Sequence, residues 1–117
     1  MTDMPLRLLA AEVTREKLFL NYHQEVPYGL TVETEKWEDF KDGSVKIDQT
    51  VYVQRDNHKA IVLGKGGQAI RRVREQSQSE LEAMMERKVH LFLFVKVRES
   101  WDEDPERFKP WGLEWNA

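Results

Sequence analysis

Ile61-Val62-Leu63-Gly64-Lys65-Gly66-Gly67-Gln68-Ala69-Ile70-Arg71-Arg72-Val73-Arg74 sets three glycines and a lysine between an apolar triplet and an arginine-rich segment. A bare connection between two helices needs one cap glycine, and every further one costs conformational entropy. Three within four positions, with Lys65 among them, imply backbone that something else approaches closely. Asp56 and Asn57 are good N-cap residues, so His58 to Leu63 is expected to make about two helical turns before Gly64 stops them. A second helix restarts near Gly67. Its stripe is Ile70, Val73, Leu81 and Met84, with Ser77 where the period wants another apolar side chain.

Outward from this pair of helices the period changes to two. Val45, Ile47, Gln49, Val51 and Val53 alternate with Lys46, Asp48, Thr50, Tyr52 and Gln54. Before them, Leu30, Val32 and Thr34 alternate with Thr31, Glu33 and Glu35, and Lys41-Asp42-Gly43 supplies a turn in which Gly43 takes positive φ, so the two runs form a hairpin. After the helices, Val89, Leu91, Leu93, Val95 and Val97 predict a third strand, whose other face carries Phe92 and Phe94. Two strands flanking a helical connection predict a crossover, with the second and third strands parallel and the helices over one face. Leu6, Leu9, Ala10, Val13 and Leu20 give a first helix from about Pro5 to Gln24, closed by Pro27. Asp102 or Asp104 caps a last helix with Pro105 in its first turn, ending near Gly112. The order is α-β-β-α-α-β-α, a two-layer α+β domain with a three-stranded mixed sheet.

The 117 residues suffice for one hydrophobic core and not for two ordinary domains, so 1–117 reads as a single domain. With 40% hydrophobic and 33% charged residues the composition is that of a soluble protein, and no apolar run reaches the ~20 residues of a membrane span. Arg7 and Glu12 interrupt the N-terminal apolar positions, so a secretory signal is not expected and the cytosol is. There are no cysteines, which excludes disulfides, thiolate zinc sites and a cysteine nucleophile. The net charge is −3, but between Arg55 and Arg74 six basic residues (Arg55, Lys59, Lys65, Arg71, Arg72, Arg74) meet one acid, Asp56, a local +5 that leaves −8 on the rest. A basic patch on an acidic body suits a polyanion.

Four functions compete for the glycines. A Walker loop fails on residues, since Lys59 stands where its first glycine belongs and Gly66 where its hydroxyl belongs. A dinucleotide fingerprint is spelled by Gly64, Gly66 and Ala69, but Glu80, Glu82 and Glu86, at the distance of the ribose-binding acid, lie inside the expected helix. A helix-turn-helix on duplex DNA fits the two helices and not the flanking strands. A plain connector does not account for the extra glycines. A helix restarting at Gly67 would direct free N–H groups and the positive end of its dipole at the turn, a place for phosphate. Lys65 would add a cation at the tip, and Arg71 and Arg74 would continue the positive track.

Val62 through Ile70 resembles the core motif of KH domains, V-I-G-x-x-G-x-x-I, with Leu63 for isoleucine as the one departure, and the element order is that of the prokaryotic type II KH fold. The resemblance implies a groove for about four single-stranded nucleotides, with the Gly-x-x-Gly turn clamping the backbone. It makes Gly64, Lys65, Gly66 and Gly67 the clamp, Ile61, Val62 and Ile70 an apolar floor for bases, and Lys59, Arg71 and Arg74 phosphate contacts. The flanks Pro5 to Glu12, Arg15 to Leu18, His23 to Tyr28, Lys88 to Leu91, Val95 to Arg98 and Trp101-Asp102 are similar to the C-terminal domain of the Era family of bacterial Ras-like GTPases. The family's GTPase motifs are absent from this chain. The resemblance then implies the RNA-binding portion alone, opening at an added Met1, without enzymatic activity or cofactor. Implied partners are single-stranded RNA at the 3′ end of 16S rRNA, the 30S subunit during its maturation, and the family's GTPase domain within the same polypeptide. The implied setting is the bacterial cytoplasm, with room for peripheral association at the inner membrane and none for integral insertion. A protein-interaction or regulatory domain, or a duplex DNA reader, is the alternative.

His23, His58 and His90 show no metal-ligand spacing, and His58 reads as a surface residue at a helix start. Glu33 and Glu35 share a strand face and are expected to be solvated. Glu99 to Glu106 reads as a helix N-cap region. Trp101, Trp111 and Trp115 are expected to pack the last helix or to dock the GTPase domain.

Overall fold

The computed structural model describes residues 4–22 and 27–98. Chain order is α1 (Met4–Tyr22), β1 (Thr31–Asp39), β2 (Val45–Val53), α2 (Asp56–Leu63), α3 (Gln68–Met85) and β3 (Val89–Val97), with one 3₁₀ turn, Lys65–Gly67, between α2 and α3. The sheet order is β1-β2-β3. β1 and β2 are antiparallel, from Thr31 opposite Tyr52 to Asp39 opposite Val45. β2 and β3 are parallel, from Val45 beside Val89 to Val53 beside Val97. The expected mixed sheet and crossover are therefore present. The expected last helix and the three tryptophans near the C-terminus lie outside the described residues, as do His23, Gln24 and the run Glu99 to Glu106. No helix among the described residues is long and apolar enough to cross a membrane.

The core lies between the sheet and the helices, in two apolar halves. One half gathers Leu18, Tyr22, Leu30, Val51, Val53, Val62, Val73 and Val95. The other gathers Ala10, Val13, Val45, Ile47, Leu81, Val89 and Leu91. Burying a side chain such as Leu18 contributes about 2 kcal/mol, and truncating it to alanine would cost about 2–5 kcal/mol. Between the halves along their elements lie Thr14, Gln49 and Ser77, all fully buried. Thr14 donates to Gln49 Oε1 at 2.5 Å, and Gln49 Nε2 donates to Thr34 Oγ1 at 3.3 Å. Thr34 in turn donates to the Arg7 carbonyl at 2.9 Å. This chain of bonds satisfies the buried amide and sets α1 at one height over β1 and β2.

The first helix buries only part of the expected stripe: Ala10 and Val13 face inward as expected, but Leu6, Leu9 and Leu20 do not. Ala10, Ala11, Val13, Thr14, Leu18 and Tyr22 are buried, whereas Leu6, Leu9 and Leu20 are exposed, Leu20 at 59%. Alanines let the helix axis come close to the sheet, and Thr14 finds its partner in Gln49. Small side chains and a hydroxyl thereby share the inner stripe with Leu18 and Tyr22, in place of Leu6, Leu9 and Leu20. At the end of α3 the buried stripe is Val73, Ser77 and Leu81, as expected, but Met84 is exposed and Met85 packs against the core instead.

On the outer sheet face, Glu33 and Glu35 are exposed as expected, though each has a partner. Arg98 donates to Glu33 at 2.8 Å while its guanidinium lies over the Tyr52 ring, and the Tyr52 hydroxyl donates to Glu35 at 2.8 Å. Phe92 and Phe94 are half exposed on the same face, as the alternation requires.

Candidate functional site

Helix α2 begins at Asp56, one residue earlier than its expected caps allow. Arg55 occupies the N-cap position in extended conformation, without a side-chain cap, and its carbonyl accepts from His58 and Lys59 at 3.1 and 3.2 Å. Asp56 is then in the first turn, where its charge favours the helix dipole. His58 is half-buried rather than on the surface, and its Nδ1 is buried without a hydrogen-bond partner.

Gly64 ends α2, its N–H donating to the Ala60 carbonyl at 3.0 Å. Its φ of 75° and ψ of 175° fall in a region open essentially to glycine alone. A Cβ there would stand 2.6 Å from the Ala69 Cβ and 3.0 Å from the Ala69 nitrogen. Gly64 is thus the packing glycine that brings the start of α3 against the end of α2. Gly66 (φ 62°) and Gly67 (φ 77°) are also left-handed, yet a Cβ on either would meet nothing within 4 Å. The backbone of these two residues is open to an approaching ligand, with Lys65 exposed beside it. The helix restarts at Gln68 rather than Gly67. Gly67 donates to the Gly64 carbonyl at 3.1 Å and Gln68 to the Lys65 carbonyl, so the turn uses two donors that a bare helix start would leave free.

The other expected site residues divide. Ile61 is 41% exposed on α2, and Ile70 is half-buried at the start of α3. Val62 is not part of a floor for bases: it is fully buried among Leu18, Tyr22, Val53 and Val73, because the inner face of a two-turn helix must seal the core. Its carbonyl, one of the orphan acceptors of a helix end, accepts the Tyr22 hydroxyl. Burial pushes the Tyr22 phenol up to about 12, against an opposing pull from the Arg72 charge. Arg71 and Arg72 are exposed, and with Gln68 and Glu75 they line an open hollow in the first half of α3. Arg74 is half-buried, paired with Glu75 at 3.8 Å and donating to Gln78 at 3.4 Å. Lys59 is half-buried on α2, and Arg55 exposed before it. Of the expected track of Lys65, Arg71 and Arg74, the first two are exposed and the third is drawn into local pairing, while Arg72, which was not among the expected contacts, is exposed beside Arg71.

The free edge of β3 was not legible as part of this site. Arg98 donates to the Val53 carbonyl at 2.7 Å and the Lys88 carbonyl accepts from Val45 at 3.0 Å, so even-numbered residues of β3 face β2. Val89, Leu91, Leu93 and Val95 consequently turn their N–H and C=O groups to the open side. Two of these amides are covered by α3: Val89 donates to Glu82 Oε2 and Leu91 to Gln78 Oε1, both at 3.0 Å. Among the described residues no side chain does the same at Leu93 or Val95. The strip from the glycine turn along α3 to this edge, hereafter the channel, starts at Lys65 with Ile61 and Ile70 near the turn and runs past the strand amides of Leu93 and Val95.

A sheet of this order, crossed by two helices that meet at Gly-x-x-Gly, defines a nucleic-acid-binding class of fold, and the chain belongs to the KH domain family, whose model matches residues 25–102. Within it, the chain is similar to GTPase Era of Sinorhizobium medicae, 59% identical over 113 residues, and to GTPase Era of Agrobacterium fabrum, 61% identical over 113 residues. Each match covers 97% of this chain and 36% of the relative, so the chain spans little more than a third of the curated relatives it matches. A solved structure of Era in complex with MgGDPNP and nucleotides 1506–1542 of 16S ribosomal RNA superposes with a TM-score of 0.77 at 36% identity, covering 94% of this chain and 37% of that one.

Proposed function

We propose that this domain binds single-stranded RNA, with Gly64, Lys65, Gly66 and Gly67 clamping the sugar-phosphate chain, and that it does no chemistry itself. The observation that carries this reading is the glycine turn: two consecutive left-handed glycines with open space where side chains would stand, beside Lys65 and two exposed arginines. Ile61 and Ile70 offer apolar surface to bases, Arg71 and Arg72 reach phosphates, and Lys59 and Arg74 add positive potential. The similarity to a structure of Era in complex with nucleotides 1506–1542 of 16S ribosomal RNA supports 16S rRNA as the target. Its 3′ end as the segment bound, and small-subunit maturation in the bacterial cytoplasm as the setting, are part of the proposal. In that reading the domain is the C-terminal part of an Era-type GTPase and works beside that protein's nucleotide-binding domain.

The test is a titration with short single-stranded RNA and its duplex at near-physiological salt. Single strands should bind more tightly than duplex, with a log-log salt slope of about −0.7 per phosphate neutralised. Replacing Lys65 and Gly66 together by aspartate should abolish binding while the far-ultraviolet circular dichroism stays unchanged. Undiminished affinity in that folded double variant would refute the clamp.

A further inference from the structure

The side chain of Gln78 is oriented more tightly than a partly exposed glutamine requires. Its Oε1 accepts from the Leu91 amide at 3.0 Å and from Arg74 Nη1 at 3.4 Å. Both partners are donors only, so they dictate which end of the amide is oxygen. The two Nε2–H donors are thereby turned away from the strand, and among the described residues no acceptor takes them. Arg74 is itself held by Glu75 at 3.8 Å, which steadies the far side of the arrangement.

Position matters as much as orientation. Gln78 lies 11 residues beyond Gly67, and at ~1.5 Å per residue that is about 16 Å along α3. α3 runs back toward the start of β3, so Gln78 stands beside Leu91, with the uncovered Leu93 and Val95 between it and the glycine turn. A strand held at the turn and laid along the channel reaches this point only after passing the uncovered amides of Leu93 and Val95. There the strand amide is no longer available, because Gln78 has covered it, and Gln78 offers its own two donors instead.

We propose that Gln78 is a specificity-determining residue of the single-strand channel, donating from Nε2 to an acceptor on the edge of the base farthest from the glycine turn. This rests on the RNA-binding reading and adds to it the place where the backbone-lined wall ends and side-chain selection begins. The ligand group is a base edge presenting a lone pair, such as a ring nitrogen or a carbonyl oxygen.

Gln78→Glu separates this role from a structural one. A carboxylate still accepts from Leu91 and Arg74, so the cover over the strand edge persists, while both donors are gone. Gln78→Met, also without donors, adds no charge. Each protein is mixed with a pool of random single-stranded 8-mer RNA, and the bound fraction is sequenced beside the unsubstituted protein. The expected result is base discrimination reduced about tenfold at one position of the bound motif in both variants, with the other positions retained. Unchanged discrimination at every position, or an even loss at all positions in both variants, overturns the proposal and leaves the clamp standing. A pool that the unsubstituted protein does not retain at all overturns the RNA-binding reading itself.

Discussion

Raising the pH should unclip the end of α2 through Tyr22. The phenol is buried, its hydroxyl donates to the Val62 carbonyl, and burial lifts its titration from 10.0 to about 12. The protonated form is the neutral one, so folding holds the proton more tightly than the unfolded chain does. The stability this confers is complete below pH 10, falls as pH climbs between the two values and is gone above about 12. The full difference corresponds to about 3 kcal/mol, of which about half is lost by around pH 11. Tyr22→Phe removes the titration and leaves the Val62 carbonyl without its donor, at a cost of about 1–3 kcal/mol near neutral pH. Urea unfolding followed by circular dichroism, on both proteins near pH 9 and near pH 11, isolates the effect from the other tyrosines and the lysines. The gap in stability between the two proteins should shrink by about 1 kcal/mol over that interval. A gap that stays constant would refute the link between this hydroxyl and the helix end.

The glycines of the turn should separate by role. Gly64→Ala, which meets Ala69 in a backbone region closed to side chains, should lower stability by about 2–4 kcal/mol in a urea titration. Gly66→Ala, strained but unobstructed, should lower it by about 1 kcal/mol. Ser77 is fully buried with its hydroxyl unpartnered, so Ser77→Ala should leave stability unchanged or raise it by about 1 kcal/mol, read as a shift of the thermal midpoint.

Much of the molecule is written locally in the chain. Alternation over Val45 to Val53 and Val89 to Val97 marks two strands, Asp42-Gly43 marks the hairpin turn, and Gly64 to Gly67 marks both the break between helices and the proposed site, because φ preferences and periods of two and 3.6 act between near neighbours. The buried face of α1 could be read only in part, since Ala10 and Val13 lie on two candidate stripes, one continuing through Leu6, Leu9 and Leu20 and the other through Thr14, Leu18 and Tyr22. Only the sheet, by requiring close approach and by presenting Gln49, selects the second. Val62 and Ile61 are equally apolar in sequence, and it takes the packed core to decide that one is sealed and the other open. The covering of Val89 and Leu91 by Glu82 and Gln78 joins groups 7 and 13 residues apart on different elements. No local pattern encodes which strand amides a helix will reach, because that follows from where the crossover sets α3 along the free edge.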